Sequence, residues 1–171
     1  MNFAKLYNIS SNDKILIDTN ILIYIFCPLY SQKFESKIDT YSTILQEIQK
    51  QNSKILLSSI VVSEFINRWL RLDFDKNIQD KEHSKNFKKD YRGTDRYNRV
   101  LKQILKQIEK LYVNYNIENI NDSFDKFDII SSYEDKNNDF NDLLLAYISS
   151  SNNLKILTDD NDFDNLDIER V

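Results

Sequence analysis

The sequence contains very few of the residues on which most cofactor and metal sites depend. Its 171 residues include one Gly, one Pro, one Cys and one His. A single Gly excludes the glycine-rich dinucleotide and phosphate loops, which need several glycines so that the backbone can approach the phosphates. One Cys excludes an intrachain disulfide and a Cys-rich zinc site, and one His excludes a multi-His metal site. Catalysis, if the protein is an enzyme, must therefore rest mainly on carboxylates.

Long apolar runs are also missing. The most apolar stretch, residues 15–30, is interrupted by Asp18, Thr19 and Asn20, whereas a membrane-spanning helix needs about 20 predominantly apolar residues. The first fourteen residues are mostly polar and do not resemble a secretory signal. We therefore expect a cytoplasmic protein with no membrane association, and the length suits one domain over residues 1–171.

Charge is unevenly distributed along the chain. The formal net charge of -4 excludes a general attraction to nucleic acid, so any such binding must come from a local basic patch. Residues 68–110 hold 13 of the 23 Lys and Arg residues against 7 acids, whereas residues 118–171 hold 14 acids against 4 basic residues. The sequence is thus divided into a basic middle and an acidic end.

Apolar runs and helical periodicities alternate along the sequence. Short apolar runs typical of buried strands occupy residues 14–18, 54–58 and 155–158, with weaker strand candidates at 115–120 and 167–171. Apolar residues at helical spacing occupy 21–26, 38–48, 60–72, 100–112 and 140–148. This alternation predicts an α/β fold with an open, mostly parallel sheet.

Four acids occupy positions where such a fold would bring them together. Asp18 ends the first predicted strand, and Asp160 lies just past the last apolar strand. Glu64 lies one to two turns into the helix after the second strand, and Asp142 lies in the first turn of the helix before the last apolar strand. Because ligands of open parallel sheets gather at the carboxyl ends of the strands, we expect these four acids to meet there.

Carboxylates gathered in this way need a positive charge between them. Two unit charges about 5 Å apart repel by roughly 3 kcal/mol at an effective dielectric constant near 20, and without a counter-charge some of the acids would be protonated. A divalent cation removes the repulsion. Oxygen ligands favour Mg²⁺ or Mn²⁺ over zinc, and such ions activate water and stabilise charge on a phosphodiester.

Each acid also has a purely structural explanation. Asp18 could cap the following helix, and Glu64 could pair with Arg68 one turn later on an exposed face. Asp142 could interact favourably with the dipole of its helix, and Asp160 could belong to a turn. The occurrence of all four acids together favours the site over these separate explanations.

Four stretches, in this order, resemble the motifs of the PIN-domain ribonuclease family: residues 15–23, 59–65, 142–148 and 155–163. The sixteen-residue step from Asp142 to Thr158 is close to that of the family and favours Asp142 over Asp139. The resemblance covers roughly residues 13–74 and 138–171. It implies a three-layer α/β/α fold, to which a helical, partly polar insertion at about 75–112 would be added.

The resemblance further implies cleavage of single-stranded RNA by a bound Mg²⁺ or Mn²⁺. The four acids would be the catalytic residues and metal ligands. Asp162 would assist from nearby, and Asn20 and Thr158 would orient ligands or phosphate. Many small bacterial members are toxins of toxin–antitoxin pairs, often dimeric, so an antitoxin protein and a second copy of the chain are the expected partners.

The insertion contains most of the basic excess. The basic residues that we expect to hold an RNA backbone are Lys85, Lys88, Lys89, Arg92, Arg96 and Arg99. Tyr91 and Tyr97 lie among them and could stack on bases. The alternative is a solvated helical arm without a role in binding.

Two other functional interpretations stay open at this point. One is a catalytically inactive PIN-like module that binds RNA or a protein. The other is a different α/β enzyme with carboxylates, which fits less well: a haloacid-dehalogenase-like phosphatase would need a second Asp where Asn20 stands, and a receiver domain would need a phosphoacceptor Asp after a middle strand, whereas the second strand ends in Ser58 and Ser59.

Overall fold

The computed structural model describes residues 7–30, 34–78, 85–133 and 138–171. Five strands of these residues form one sheet in the order β3-β2-β1-β4-β5, and each neighbouring pair is parallel. Their bounds are Lys14–Ile17 (β1), Lys54–Leu57 (β2), Ile117–Asn119 (β3), Lys155–Leu157 (β4) and Glu169–Arg170 (β5). The predicted α/β class and parallel sheet are confirmed.

Helices flank this sheet and confirm the predicted three-layer α/β/α arrangement. Their bounds are Thr19–Phe26 (α1), Glu35–Lys50 (α2), Ser59–Asn77 (α3), Asp95–Asn114 (α4), Ile129–Ser132 (α5) and Phe140–Ser151 (α6). Short 3-10 segments occupy Pro28–Tyr30, Phe124–Lys126 and Asn161–Asn165. Within the described ranges, no helix is both long and apolar enough to cross a membrane.

The three central strands are buried on both faces, as their continuous apolar runs predict. Ile15 pairs with Ile55 of β2 on one side and with Lys155 of β4 on the other. Ile15, Leu16 and Ile17 of β1 are at most 1% exposed. Each of these three strands holds three or four residues, and paired strands end at nearly the same level. The residue that follows each strand therefore lies at the same edge of the sheet.

Two helices begin immediately after their strands. Asp18 is the residue between β1 and α1, and Ser58 is the residue between β2 and α3. Ser58 caps α3, because its side chain accepts a hydrogen bond from the Val61 amide at 3.4 Å. These strand-to-helix junctions place the first turns of α1 and α3 beside each other at the carboxyl edge of the sheet.

The segment expected as a helical insertion is packed against the rest of the protein. A π-helical turn covers Phe87–Tyr91, and α4 continues the segment with Val100, Ile104 and Leu111 buried. The ring of Phe74, near the end of α3, contacts the rings of Phe87 and Tyr91 at centroid distances of 5.5 and 5.7 Å. Residues 79–84 of the segment lie outside the described residues.

A buried carboxylate fixes this segment to α3. Asp73 is 3% exposed and accepts hydrogen bonds from Arg96 Nε at 2.8 Å, from Arg96 Nη2 at 2.7 Å and from the Tyr91 hydroxyl at 2.8 Å. Burial raises the pKa of Asp73, but the bonds from Arg96, Tyr91 and Asn77 outweigh it and bring the pKa below its ordinary value. The carboxylate is therefore charged and well satisfied without any metal ion.

We expect Asp73→Ala to lower the free energy of unfolding by about 2–3 kcal/mol, because it leaves a buried tyrosine hydroxyl and a partly buried guanidinium without their acceptor. Since the folded-state pKa of Asp73 is lowered, its contribution is complete above the ordinary pKa of 3.8 and disappears as the pH falls below that value. Urea denaturation at pH 7 measures the loss. The control is Asp75→Ala, an exposed acid of the same helix, which should change stability by no more than about 0.5 kcal/mol. Equal losses in the two variants would contradict the role given to Asp73.

Candidate acidic site at the carboxyl edge of the sheet

Asp18 lies at the junction of β1 and α1 and is 5% exposed. Its backbone amide donates to the Leu157 carbonyl at 3.0 Å, which ties the end of β1 to β4. Its carboxylate makes no capping hydrogen bond to α1. Instead it accepts from the Thr158 hydroxyl at 2.7 Å and from the Asn20 side-chain amide at 3.3 Å. Asp18 nevertheless occupies the N-cap position of α1, where burial raises its pKa and the amides of Thr19 and Asn20 lower it, so a place at the helix start and a place in the acidic region are compatible.

Asp160 faces Asp18 from the loop that follows β4. Its amide donates to the Thr158 hydroxyl oxygen at 3.0 Å, so one threonine contacts both acidic residues. Its carboxylate accepts from the Asp162 amide at 3.0 Å and from Asn20 Nδ2 at 3.4 Å. Asn20 Nδ2 also donates to Asp18, so a single nitrogen bonds both carboxylates. The carboxylates of Asp18 and Asp160 therefore lie near each other.

Glu64 projects from α3 towards the start of α1. It accepts hydrogen bonds from the Thr19 hydroxyl at 3.1 Å and from the Asn141 side-chain amide at 3.4 Å. These contacts join α1, α3 and α6 through one carboxylate. Arg68 makes no ion pair with Glu64, although the helical spacing suggested one, and donates through Nη1 to the Asn20 side-chain oxygen.

Asp142 lies in the first turn of α6, and the neighbouring Asp139 is the residue that caps this helix. Asp139 accepts from the Asp142 amide at 3.0 Å. The pKa of the Asp142 carboxyl is raised to about 7, first by burial and then by repulsion from Asp139, Asp160, Asp18 and Asp162. The electrostatic effect of Asp18 and Asp160 on Asp142 shows that the acids of distant motifs share one region.

Burial and repulsion act on Asp18 as well. Burial raises its pKa, the hydrogen bond from Thr158 lowers it, and the charge of Glu64 raises it further, with a net increase above the ordinary value. Polar neighbours thus offset only part of the cost of placing these carboxylates together. This region differs from Asp73, whose guanidinium partner supplies a full positive charge.

The donors of this region fit a hard divalent cation by their chemistry. They are oxygens of carboxylates and of the Thr158 hydroxyl, which Mg²⁺ and Mn²⁺ prefer, and a bound cation would relieve the mutual repulsion that raises the pKa of Asp142. Over the described part of the chain, no group of three or more His, Cys, Asp or Glu side chains is drawn together closely enough to hold an ion. The fit to a divalent cation therefore rests on the type and charge of the donor atoms. In this structure Asn20 Nδ2 donates to the oxygens of Asp18 and Asp160.

Several residues of this region carried little signal in the sequence. Thr19 and Asn141 donate to Glu64, and Arg68 donates to Asn20. In the sequence, only the closeness of these residues to motif residues could have indicated the contacts. Asp159, which lies between two motif residues of the fourth stretch, likewise carried little signal of its own. Its carboxylate accepts from Tyr41 at 2.6 Å and from Tyr24 at 3.0 Å and pairs with Lys37, which fixes the loop that carries Asp160.

Most of the basic residues expected to bind RNA are on the surface. Lys85, Lys88, Lys89, Arg92 and Arg99 are exposed. Arg96 differs, because its guanidinium is engaged with Asp73, and we do not retain it as an RNA contact. Tyr91 is 0% exposed, so the expectation that it stacks on bases is wrong. In the described ranges, no hydrogen bond or ion pair links these basic residues to the four acids.

Comparison with known proteins agrees with this geometry. The family model described as PIN domain matches residues 15–169. No curated protein has a significantly similar sequence. The chain is similar in structure to a chain in the crystal structure of VapBC2 from Rickettsia felis bound to a DNA fragment from their promoter, with a TM-score of 0.53 and 18% identity over 92% of this chain and 97% of that one. At this identity the structural likeness concerns the fold alone, but the family model spans almost the whole chain, and the protein belongs to the PIN domain family.

Proposed function

We propose that this protein is an endoribonuclease that hydrolyses phosphodiester bonds of single-stranded RNA with the help of Mg²⁺ or Mn²⁺. The observation that carries the proposal is that Thr158 and Asn20 hold Asp18 and Asp160 together at the carboxyl edge of the sheet. Burial and repulsion from Asp139 and from acids of two other segments, Asp18 and the loop with Asp160 and Asp162, also raise the pKa of Asp142 to about 7. Nuclease activity is general among PIN domains, and the four acids stand at the motif positions that the resemblance assigns to the reaction.

The four acids have distinct positions in the proposed site. Asp18 and Asp160 are the central ligands, because Thr158 and Asn20 hold their carboxylates side by side. Glu64 and Asp142 complete the acidic site from α3 and α6. A bound Mg²⁺ or Mn²⁺ would neutralise these carboxylates, activate water and stabilise the charge that develops on the phosphodiester.

The supporting residues orient the acids. The Thr158 hydroxyl donates to the Asp18 carboxylate and accepts from the Asp160 amide, so it sets the distance between the end of β1 and the loop after β4. Asp162 contributes through its backbone amide, which donates to Asp160, and through its negative charge near Asp142. Neither Thr158 nor Asp162 needs to touch RNA for these roles.

We also propose that the protein is the toxin of a toxin–antitoxin pair, acting in the cytoplasm as one domain over residues 1–171. The structurally similar chain belongs to VapBC2, which was crystallised on a DNA fragment from their promoter. This likeness supports an antitoxin protein as partner, and a second copy of the chain is the other expected partner. The alternative of an inactive RNA- or protein-binding module is an outcome of the first experiment below.

We expect Asp18→Asn to abolish cleavage of unstructured RNA, with a loss of at least about 100-fold, because it removes a charged oxygen donor from the centre of the site. The fold should persist, since Asn retains an acceptor for the Thr158 hydroxyl. The measurement is the initial cleavage rate with Mg²⁺, with Mn²⁺ and with a chelator.

The matched control is Asp125→Asn, which removes the same charge from an exposed 3-10 segment and should cleave at the parent rate. Equal cleavage by Asp18→Asn and the parent would contradict the assignment. An absence of cleavage by the parent with either metal would favour the inactive binding module.

We expect the exposed basic residues of the insertion to contribute to RNA affinity. The Lys88→Gln and Lys89→Gln double variant, made in the Asp18→Asn background to prevent cleavage, should bind unstructured RNA more weakly. Its slope of log affinity against log salt should fall by about 0.7 for each phosphate contact that is lost. Fluorescence anisotropy at several salt concentrations measures this slope, and Lys126→Gln in the same background is the control. An unchanged slope in the double variant would show that Lys88 and Lys89 make no phosphate contacts and would contradict this expectation.

A further inference from the structure

The side chain of Asn20 connects three charged residues at the centre of the acidic site. Its Nδ2 donates to Asp18 Oδ2 at 3.3 Å and to Asp160 Oδ2 at 3.4 Å. Its Oδ1 accepts from Arg68 Nη1. Arg68 lies one helical turn after Glu64 on α3, so this contact links the site to a helix that carries another of its acids.

The chemistry of these partners allows one orientation of the Asn20 amide. A guanidinium can only donate hydrogen bonds, and an ionised carboxylate can only accept them. If the amide were reversed, its NH₂ group would face the donors of Arg68 and its oxygen would face Asp18 and Asp160. The chemistry of the neighbours therefore fixes which end of the amide is the nitrogen and which is the oxygen.

The carboxylates alone would leave the amide less firmly held. Among the described residues, Arg68 is the charged donor to the Asn20 oxygen. Without it, the described contacts that oppose rotation of the side chain would be the two longer ones to Asp18 and Asp160. With Arg68 in place, a charge-assisted bond opposes that rotation. Arg68 thus acts on Asp18 and Asp160 through Asn20.

We infer that Arg68 is a positioning residue of the acidic site: by fixing the Asn20 amide, it sets how the carboxylates of Asp18 and Asp160 face each other. The inference deepens the proposed function and rests on it for its consequence in cleavage. The contact between Arg68 and Asn20 itself is independent of any activity.

Two other roles for Arg68 compete with this one. An ion pair with Glu64 is not formed in the structure, and Glu64 accepts from Thr19 and Asn141 instead. A direct contact with RNA is the stronger competitor, because Arg68 is partly exposed and lines an open groove of about 400 Å³ beside α3. The experiments below separate positioning from direct contact.

The first experiment records the side-chain amide resonances of Asn20 by NMR in the full chain without metal or RNA, assigned by their absence in Asn20→Ala. Arg68→Met, which keeps the aliphatic stem and removes the donors, should shift these resonances and speed exchange of the two amide protons with solvent. Arg71→Met, which removes the same charge one turn further along α3, should leave them unchanged. Unchanged Asn20 resonances in Arg68→Met would overturn the inference.

The second experiment is a double-mutant cycle on RNA cleavage at saturating Mn²⁺. We expect Arg68→Met to reduce the rate by about 10-fold or more, as loss of a residue that orients metal ligands does elsewhere. In the Asn20→Ala background the same substitution should cause no further loss, because Arg68 acts through that amide. Losses that multiply, together with a lower salt slope of RNA binding, would mean direct contact with RNA and overturn the inference.

A conservative variant completes the test. The contact runs from a single guanidinium nitrogen, so a lysine can supply the same charged donor, and Arg68→Lys should recover cleavage towards the parent rate and retain the Asn20 resonances. Impairment of Arg68→Lys equal to that of Arg68→Met would count against positioning through this bond. If the parent cleaves no RNA, the proposed function fails, whereas the amide spectra still decide whether Arg68 positions Asn20.

Discussion

Electrostatic repulsion among carboxylates at one edge of a parallel sheet is the constraint on which the organisation of this protein depends. The fold creates the constraint, because β1 and β4 are adjacent and both end at that edge, where Asp18 and Asp160 follow. Helices α3 and α6 then add Glu64 and Asp142. Neutral donors such as Thr158 and Asn20 reduce the cost, but the pKa of Asp142 still rises to about 7.

The same protein shows how a buried acid is stabilised when no ion is needed. Asp73 faces Arg96, and Asp159 faces Lys37, and hydroxyl groups of tyrosines donate to both carboxylates. The pKa values of Asp73 and Asp159 are both brought below the ordinary value, although burial acts in the opposite direction. Acids with a structural task thus have cationic partners, whereas Asp18 and Asp142 have raised pKa values, which is the pattern expected for a cation-binding site.

The fold and the acids were predictable from the sequence because they depend on short-range patterns. Continuous apolar runs indicate buried parallel strands, and an acid directly after such a run must appear at the carboxyl edge. The hydrogen-bond partners of Arg68 and Arg96 were not predictable in this way, because tertiary packing decides which partner a long basic side chain reaches. Helical spacing suggested that Arg68 pairs with Glu64, but Asn20 of a neighbouring helix accepts its hydrogen bond. Tyr91 belongs to a polar run of the sequence, yet its ring packs against Phe74 in the core and its hydroxyl donates to Asp73.

The most direct test of the account is a titration of the Asp142 carboxyl carbon by NMR, with and without Mg²⁺. A site whose repulsion is relieved by a divalent cation predicts that the pKa of Asp142 lies near the value of about 7 without metal, and that it falls when Mg²⁺ is added. A pKa close to the ordinary carboxyl value in both conditions would mean that the acids neither repel one another nor share an ion, and it would contradict the account.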